Sequence, residues 1–169
     1  MNANNTLMMK LSGYHWAILL APKDIPLSTS EDKDSTRWDV TNEGNPANNW
    51  RFRRAPVNQY LSVSLCARIL LAKFDAKDRE STLVSVGEVL ESVEIKQSDP
   101  TFTCRVWVLS AVQALEDNGL IKLNVPPVGL EASVTAFGDK CMGDIQSRKV
   151  DIAKGGASAI PVLDLRSTK

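Results

Sequence analysis

The chain has 169 residues, a mass of 18.5 kDa and equal numbers of basic and acidic residues, 20 of each. A chain of this length can bury one hydrophobic core without help from metals or disulfides. The neutral charge argues against general binding to nucleic acid or to anionic lipid. Its three cysteines stand at wide spacings with no CxxC pair, which indicates reduced thiols and no metal centre.

The beginning of the chain has no basic start followed by a long apolar stretch, so it does not resemble a secretory signal. The longest apolar run, WAILLAP, is too short for a bilayer, which takes about 20 residues to cross. We therefore expect a cytoplasmic protein with no stable membrane insertion and no nucleic-acid partner. The sequence leaves a homo-oligomer open.

The first half of the chain predicts an antiparallel meander of three strands. Residues 1–12 are expected to form a flexible polar lead before a single α+β domain over residues 13–169. Gly13–Ala21 is apolar and ends at a proline, which is typical of a buried strand. Residues 36–42 (TRWDVTN) and 49–57 (NWRFRRAPV) alternate between apolar and polar side chains, with arginines on the solvent face.

The second half predicts helices that pack on this sheet. A short helix followed by a strand is predicted over residues 57–74, and apolar spacing indicates a helix over residues 79–93. Residues 104–117 form the clearest amphipathic helix, ended by Asn-Gly. A third helix is predicted over 130–148, and the apolar piece near the end of the chain is expected to form an edge strand.

His15 is the only histidine in the chain. Small residues flank it on its own face of the predicted strand, which leaves space for an element that carries a nucleophile. Asp39 lies on the polar face of the next strand with Thr41, so residue 39 or 41 would lie opposite or diagonal to His15. The alternatives are a half-buried histidine bound to a carbonyl group and a solvated Asp39 paired with Arg37.

Cys104 stands at the beginning of the clearest helix, after two candidate start sites. If Thr103 is the N-cap, the thiol lies in the first turn, where free N–H groups lower its pKa and can stabilise an oxyanion. If Asp99 is the cap and Pro100 the first helical residue, the thiol lies more than one turn inward. The alternative role for Cys104 is that of a small buried apolar residue.

Further candidates surround this pair. Arg105 could bind a substrate carboxylate or face water, and with Thr41 and Trp107 it completes the predicted substrate-binding set. Cys66 and Cys141 have no basic or capping neighbour and are predicted to be structural. No spacing predicts a metal ligand set or a cofactor motif.

The segments His15-Trp16-Ala17-Ile18 and Thr103-Cys104 resemble two motifs of permuted papain-like proteins of the lecithin retinol acyltransferase type. The resemblance implies a permuted papain-like fold with a cysteine nucleophile and a histidine base. Asp39 corresponds by position to the third residue of that family's site. Threonine replaces the asparagine before the cysteine, and the residues after it differ. Residues 13–117 also resemble small uncharacterised fungal proteins, some linked to secondary metabolism.

We therefore expect a cysteine-dependent acyl hydrolase or acyltransferase that acts on a small-molecule or lipid ester, thioester or amide. Cys104 would attack the acyl carbon, His15 would remove and return the proton, and Asp39 would hold the imidazole. One alternative is a non-covalent isomerase, cyclase or other biosynthetic enzyme of fungal secondary metabolism that uses the same cleft. Another is a non-catalytic binding module.

Overall fold

A computed structural model of the protein describes residues 4–12, 15–22, 33–44, 49–58, 65–150 and 160–167. Within these ranges six strands form one sheet: β1 (Asn4–Ser12), β2 (His15–Pro22), β3 (Ser35–Thr41), β4 (Arg51–Val57), β5 (Ala67–Asp75) and β6 (Val162–Asp164). The α-helices of the described residues are α1 (Arg79–Glu91), α2 (Cys104–Asp117) and α3 (Pro127–Gln146).

The strand order across the sheet is β4-β3-β2-β1-β5-β6. Neighbouring strands are antiparallel except β5 and β6, which are parallel. The predicted meander is confirmed as β2, β3 and β4. The predicted fold class, an α+β protein with an antiparallel sheet packed against helices, is also confirmed.

The predicted flexible lead over residues 1–12 is wrong for Asn4–Ser12, because this segment is a strand in the interior of the sheet. It pairs with β2 on one side and with β5 on the other. Asn5 and Thr6 are buried, and the Thr6 hydroxyl donates a hydrogen bond to the Ala21 carbonyl at 3.1 Å. Polar residues can occupy a buried strand when the neighbouring strand supplies such partners.

The helix predictions hold with shifted ends. Both α1 and α2 lie where they are predicted, whereas α3 begins at Pro127 instead of residue 130. Proline suits the first turn of a helix, where its missing N–H would have no partner. The strand predicted in the second half of 57–74 is β5, and residues 59–64 of the helix predicted before it lie outside the described residues. The predicted edge strand is β6.

The main hydrophobic core lies between one face of the sheet and the helices, and α2 packs on β2 and β3. Strand alternation directs the large residues of β2 and β3 to this face. They meet the apolar stripe of α2: Trp16, Ile18, Leu20, Trp38 and Val40 against Trp107, Val108, Ala111, Val112 and Leu115. No helix in the described ranges is both long and apolar enough to cross a bilayer.

Candidate active site

Cys104 is the first residue of α2. Thr103 has the extended backbone of an N-cap, with φ −144° and ψ 169°, and its side-chain oxygen accepts a hydrogen bond from the Val106 N–H at 3.3 Å. The alternative start at Asp99 is wrong, because this carboxylate closes a turn ahead of the helix by accepting from the Thr101 N–H at 2.8 Å. The sulfur therefore lies in the first turn, where backbone N–H groups have no intrahelical partner.

His15 and Asp39 meet across two neighbouring strands, as their sequence positions predict. The Nε2 atom of His15 lies 2.9 Å from Oδ2 of Asp39. When the register of the β2–β3 ladder is continued, Thr41 falls opposite His15 and Asp39 on the diagonal. The Asp39 side chain is fully buried, whereas 36% of the His15 side chain is exposed. The alternative of a solvated Asp39 is therefore wrong.

Two arginines hold the carboxylate of Asp39. Arg53 lies directly opposite on β4 and donates from Nε to Oδ1 and from Nη2 to Oδ2, each at 2.9 Å. Nε of Arg37 lies 3.1 Å from Oδ2. Burial raises the pKa of Asp39, but the hydrogen bonds from His15 and Arg53 and the charges of both arginines outweigh it and lower the pKa to about 2. The carboxylate is therefore ionised at neutral pH.

His15 also forms a hydrogen bond with the Cys104 side chain. Because Nε2 faces Asp39, the other ring nitrogen is left for the sulfur. The bonds to Asp39 and then to Cys104 raise the pKa of His15 to about 9, against the effect of burial. Burial raises the pKa of Cys104, but bonds from His15 and from the Trp16 and Arg105 backbone lower it overall. These shifts favour a thiolate–imidazolium pair.

A cavity of about 420 Å³ opens beside the sulfur. Such a volume suits a small ligand or one part of a larger one. Cys104 is 7% exposed. The described residues that line the cavity come from β2, the segment before β5, the beginning of α2 and one face of α3: Trp16, Cys66, Thr103, Cys104, Arg105, Thr135, Gly138, Asp139, Met142 and Gln146.

The predicted substrate-binding residues differ in whether they line the cavity. Arg105 lines the cavity, but its Nε lies 3.2 Å from Oε1 of Glu131, so the guanidinium already has an acidic partner. Thr41 is buried, and its hydroxyl oxygen accepts from the Glu43 N–H at 3.1 Å. The predicted substrate contact is wrong for Trp107, which is fully buried in the core. Its position in the apolar stripe of α2 explains this burial.

Two groups of residues in the site were missed by the sequence analysis. Arg53 was assigned to a solvent face, although strand alternation places it on the same sheet face as Arg37 and Asp39. That shared face was the available signal. The α3 residues that line the cavity carry no local signal, because only the packing of α3 brings them near Cys104.

The described residues contain no cluster of three or more His, Cys, Asp or Glu side chains that could hold a metal ion. The only histidine of the chain bonds Asp39 and Cys104. A ligand role for it would require one of these two bonds to break, because a metal binds a single ring nitrogen. The arrangement fits proton transfer and nucleophilic attack by sulfur.

Comparison with known sequences gives a family without an assigned activity. Residues 2–126 match a family of unknown function, DUF6914. The chain belongs to this family. The matched range contains His15, Asp39 and Cys104 and ends just before α3 begins. No curated protein and no solved structure matches the chain.

Proposed function

We propose that this member of the DUF6914 family is a cysteine-dependent acyl hydrolase or acyltransferase for a small-molecule or lipid ester, thioester or amide. The supporting observation is the continuous series of hydrogen bonds from the Cys104 thiol through His15 to the buried Asp39. A nucleophile, a base and a group that orients the base are the three parts of a covalent acyl-transfer site.

In the first half of the proposed reaction, the Cys104 thiolate attacks the acyl carbon and a carbon–sulfur bond forms. The electron pair of the carbonyl moves to oxygen, and the backbone N–H of Cys104 at the start of α2 stabilises this oxyanion. When the carbonyl forms again, the bond to the leaving group breaks. The leaving group takes the proton from the His15 imidazolium, which leaves a thioester and a neutral imidazole.

In the second half, the neutral His15 removes a proton from the acceptor, which is water, an alcohol or an amine. The acceptor attacks the thioester, and the carbon–sulfur bond breaks to release the product and the thiolate. Asp39 remains ionised throughout, because its pKa of about 2 lies far below neutral pH. Its role is to orient the ring and to stabilise the imidazolium.

The order of the site along the chain supports a relationship to permuted papain-like proteins. A histidine on an early strand precedes a cysteine at the beginning of a later helix, and that order is typical of the family that the two motifs resemble. We also propose that the protein is cytoplasmic, since its three cysteines form no disulfides and a reducing compartment preserves a reactive thiol.

Trapping of the acyl-enzyme tests the proposed function. The protein would be mixed with p-nitrophenyl acetate and, separately, with an acetyl thioester of N-acetylcysteamine, quenched in acid and analysed by peptide mass spectrometry. We expect an acetyl group on Cys104 and a burst of leaving group in the wild type. The Cys104→Ala variant should show neither, whereas Cys141→Ala should behave as the wild type.

Other outcomes would contradict the proposal. Turnover of a substrate that survives Cys104→Ala would eliminate the thiol mechanism and favour a non-covalent isomerase or cyclase. If Cys104 is neither acylated nor more reactive toward iodoacetamide than a free thiol, the site is not a nucleophilic one, and a binding module becomes the better explanation.

A further inference from the structure

One face of α3 forms the wall of the cavity that lies across from Cys104. The α3 residues in this wall are Thr135, Gly138, Asp139, Met142 and Gln146. Counted from the first of them, the others follow at three, four, seven and eleven positions, so all five lie on one side of the helix. This wall lies outside residues 2–126, the range that matches the family.

The two charged side chains that line the cavity, Arg105 and Asp139, differ in whether the described part of the chain gives them a partner of opposite charge. Arg105 is paired with Glu131 at 3.2 Å, so its positive charge is largely compensated. Asp139 is exposed, and among the described residues that line the cavity it is the one carboxylate. A lone carboxylate beside a cavity attracts cations and repels anions.

Thr135 adds a hydrogen-bonding group to the same wall. Its hydroxyl oxygen is buried, and within the described part of the chain it has no hydrogen-bond partner. A buried hydroxyl without a partner is costly, and a ligand that bonds to it removes this cost. Thr135 and Asp139 are one helical turn apart on the side of α3 that lines the cavity.

From these contacts we infer that the cavity binds an acyl group that carries a positively charged nitrogen, such as an ammonium group. The inference rests on the proposed function and names its substrate class. The ammonium group would donate hydrogen bonds to the Thr135 hydroxyl and the Asp139 carboxylate. Trp16 and Met142 supply apolar surface for the carbon chain between this group and the reacting carbonyl.

Thiol reagents that differ in charge test this inference without a known substrate. The probes are methyl methanethiosulfonate, its trimethylammonium-ethyl analogue and its sulfonato-ethyl analogue, which are neutral, cationic and anionic. Each reagent forms a mixed disulfide with the Cys104 thiolate and releases methanesulfinate. The rates at Cys104, divided by those of N-acetylcysteine, give a cation-to-anion preference that we expect to exceed one.

Asp139→Asn should reduce this preference about three- to tenfold, because the change acts oppositely on the two charged reagents. Asp117→Asn is the matched control, since Asp117 is an exposed acid at the other end of α2. Thr135→Val should slow turnover of amino-bearing acyl thioesters more than of unsubstituted ones, and Thr135→Ser should restore it.

The two proposals fail in different ways. A cation-to-anion preference that is the same in the wild type and in Asp139→Asn would overturn the inference about the substrate. The neutral reagent reports on the nucleophile alone. If it reacts with Cys104 no faster than with N-acetylcysteine below about pH 7, where free thiols are mostly protonated, the proposed function fails instead.

Discussion

Cys104 and Cys141 are both buried thiols on helices, but their environments shift the pKa of the thiol in opposite directions. Cys141 lies in the second half of α3, where burial and then the nearby Cys66 raise the pKa of its thiol. Cys104 is the first residue of α2, and its thiol has a lowered pKa although burial acts on it in the same direction.

The difference shows that burial alone does not decide the direction in which the pKa of these thiols shifts. Burial disfavours the thiolate at both positions. At Cys104 the neighbouring imidazole and the backbone N–H groups donate to the sulfur and reverse the sign of the shift. A cysteine in the middle of a helix has no such donors, because its backbone N–H groups bond within the helix.

The largest expected effect comes from removal of the imidazole. His15→Asn should make Cys104 behave like Cys141, with a much lower rate of iodoacetamide labelling near pH 6.5, because loss of the bond from the imidazole raises the pKa of the Cys104 thiol and reduces its thiolate fraction. Labelling rates would be followed by peptide mass spectrometry across pH. An unchanged pH profile for Cys104 would contradict this prediction, since the imidazole would then have no part in lowering the pKa of the thiol.

The next largest effect comes from loss of Arg53, which should lower the stability of the protein. Arg53→Leu removes the two hydrogen bonds to Asp39 and should lower the free energy of unfolding by about 2–3 kcal/mol, less than for a carboxylate left alone because Arg37 remains. Arg51→Leu, on the same strand but exposed, is the control and should cost about 0.5 kcal/mol or less. Equal losses in urea unfolding would show that Asp39 does not depend on Arg53.

Acid should weaken the same region. The pKa of Asp39 is about 2 in the folded state, against an ordinary value of 3.8 for an aspartate. The stabilising contribution of its ionised form is therefore complete above the higher value and is lost as the pH falls through the lower one. Between about pH 5 and pH 2, the free energy of unfolding should fall by about 2 kcal/mol more in the wild type than in Asp39→Asn. Urea unfolding at each pH measures this difference. Parallel curves for the two proteins would contradict this prediction.

The smallest effect concerns the helix cap. Thr103→Ala removes the side-chain bond to Val106, which is long at 3.3 Å, so it should cost about 0.5–1 kcal/mol of stability. It should also raise the pKa of Cys104 slightly, because the first turn of α2 would fray. Thr103→Ser keeps the hydroxyl and should behave as the wild type. Thermal unfolding and the pH profile of labelling measure both effects, and a changed profile at Cys141 would show a general loosening instead.

Much of the site was predictable, because it depends on local patterns. Alternation along β2 and β3 indicated that His15 and Asp39 share a face, and the hydroxyl before Cys104 indicated one of the two possible helix starts. The prediction that Trp107 contacts the substrate is wrong, because it disregarded the helical spacing that places this side chain in the core. Local patterns also failed for Asn4–Ser12, where polar residues suggested a lead and the structure has an interior strand.

By itself, the sequence determined which residues could carry thiol chemistry and which periodic segments would become strands and helices, because those properties arise within a few neighbouring residues. Only the tertiary structure decided that Asp39 is buried between Arg37 and Arg53, and that one face of α3 lines the cavity beside Cys104. These contacts join segments far apart in the chain. They depend on strand register and on helix packing, which no local pattern specifies.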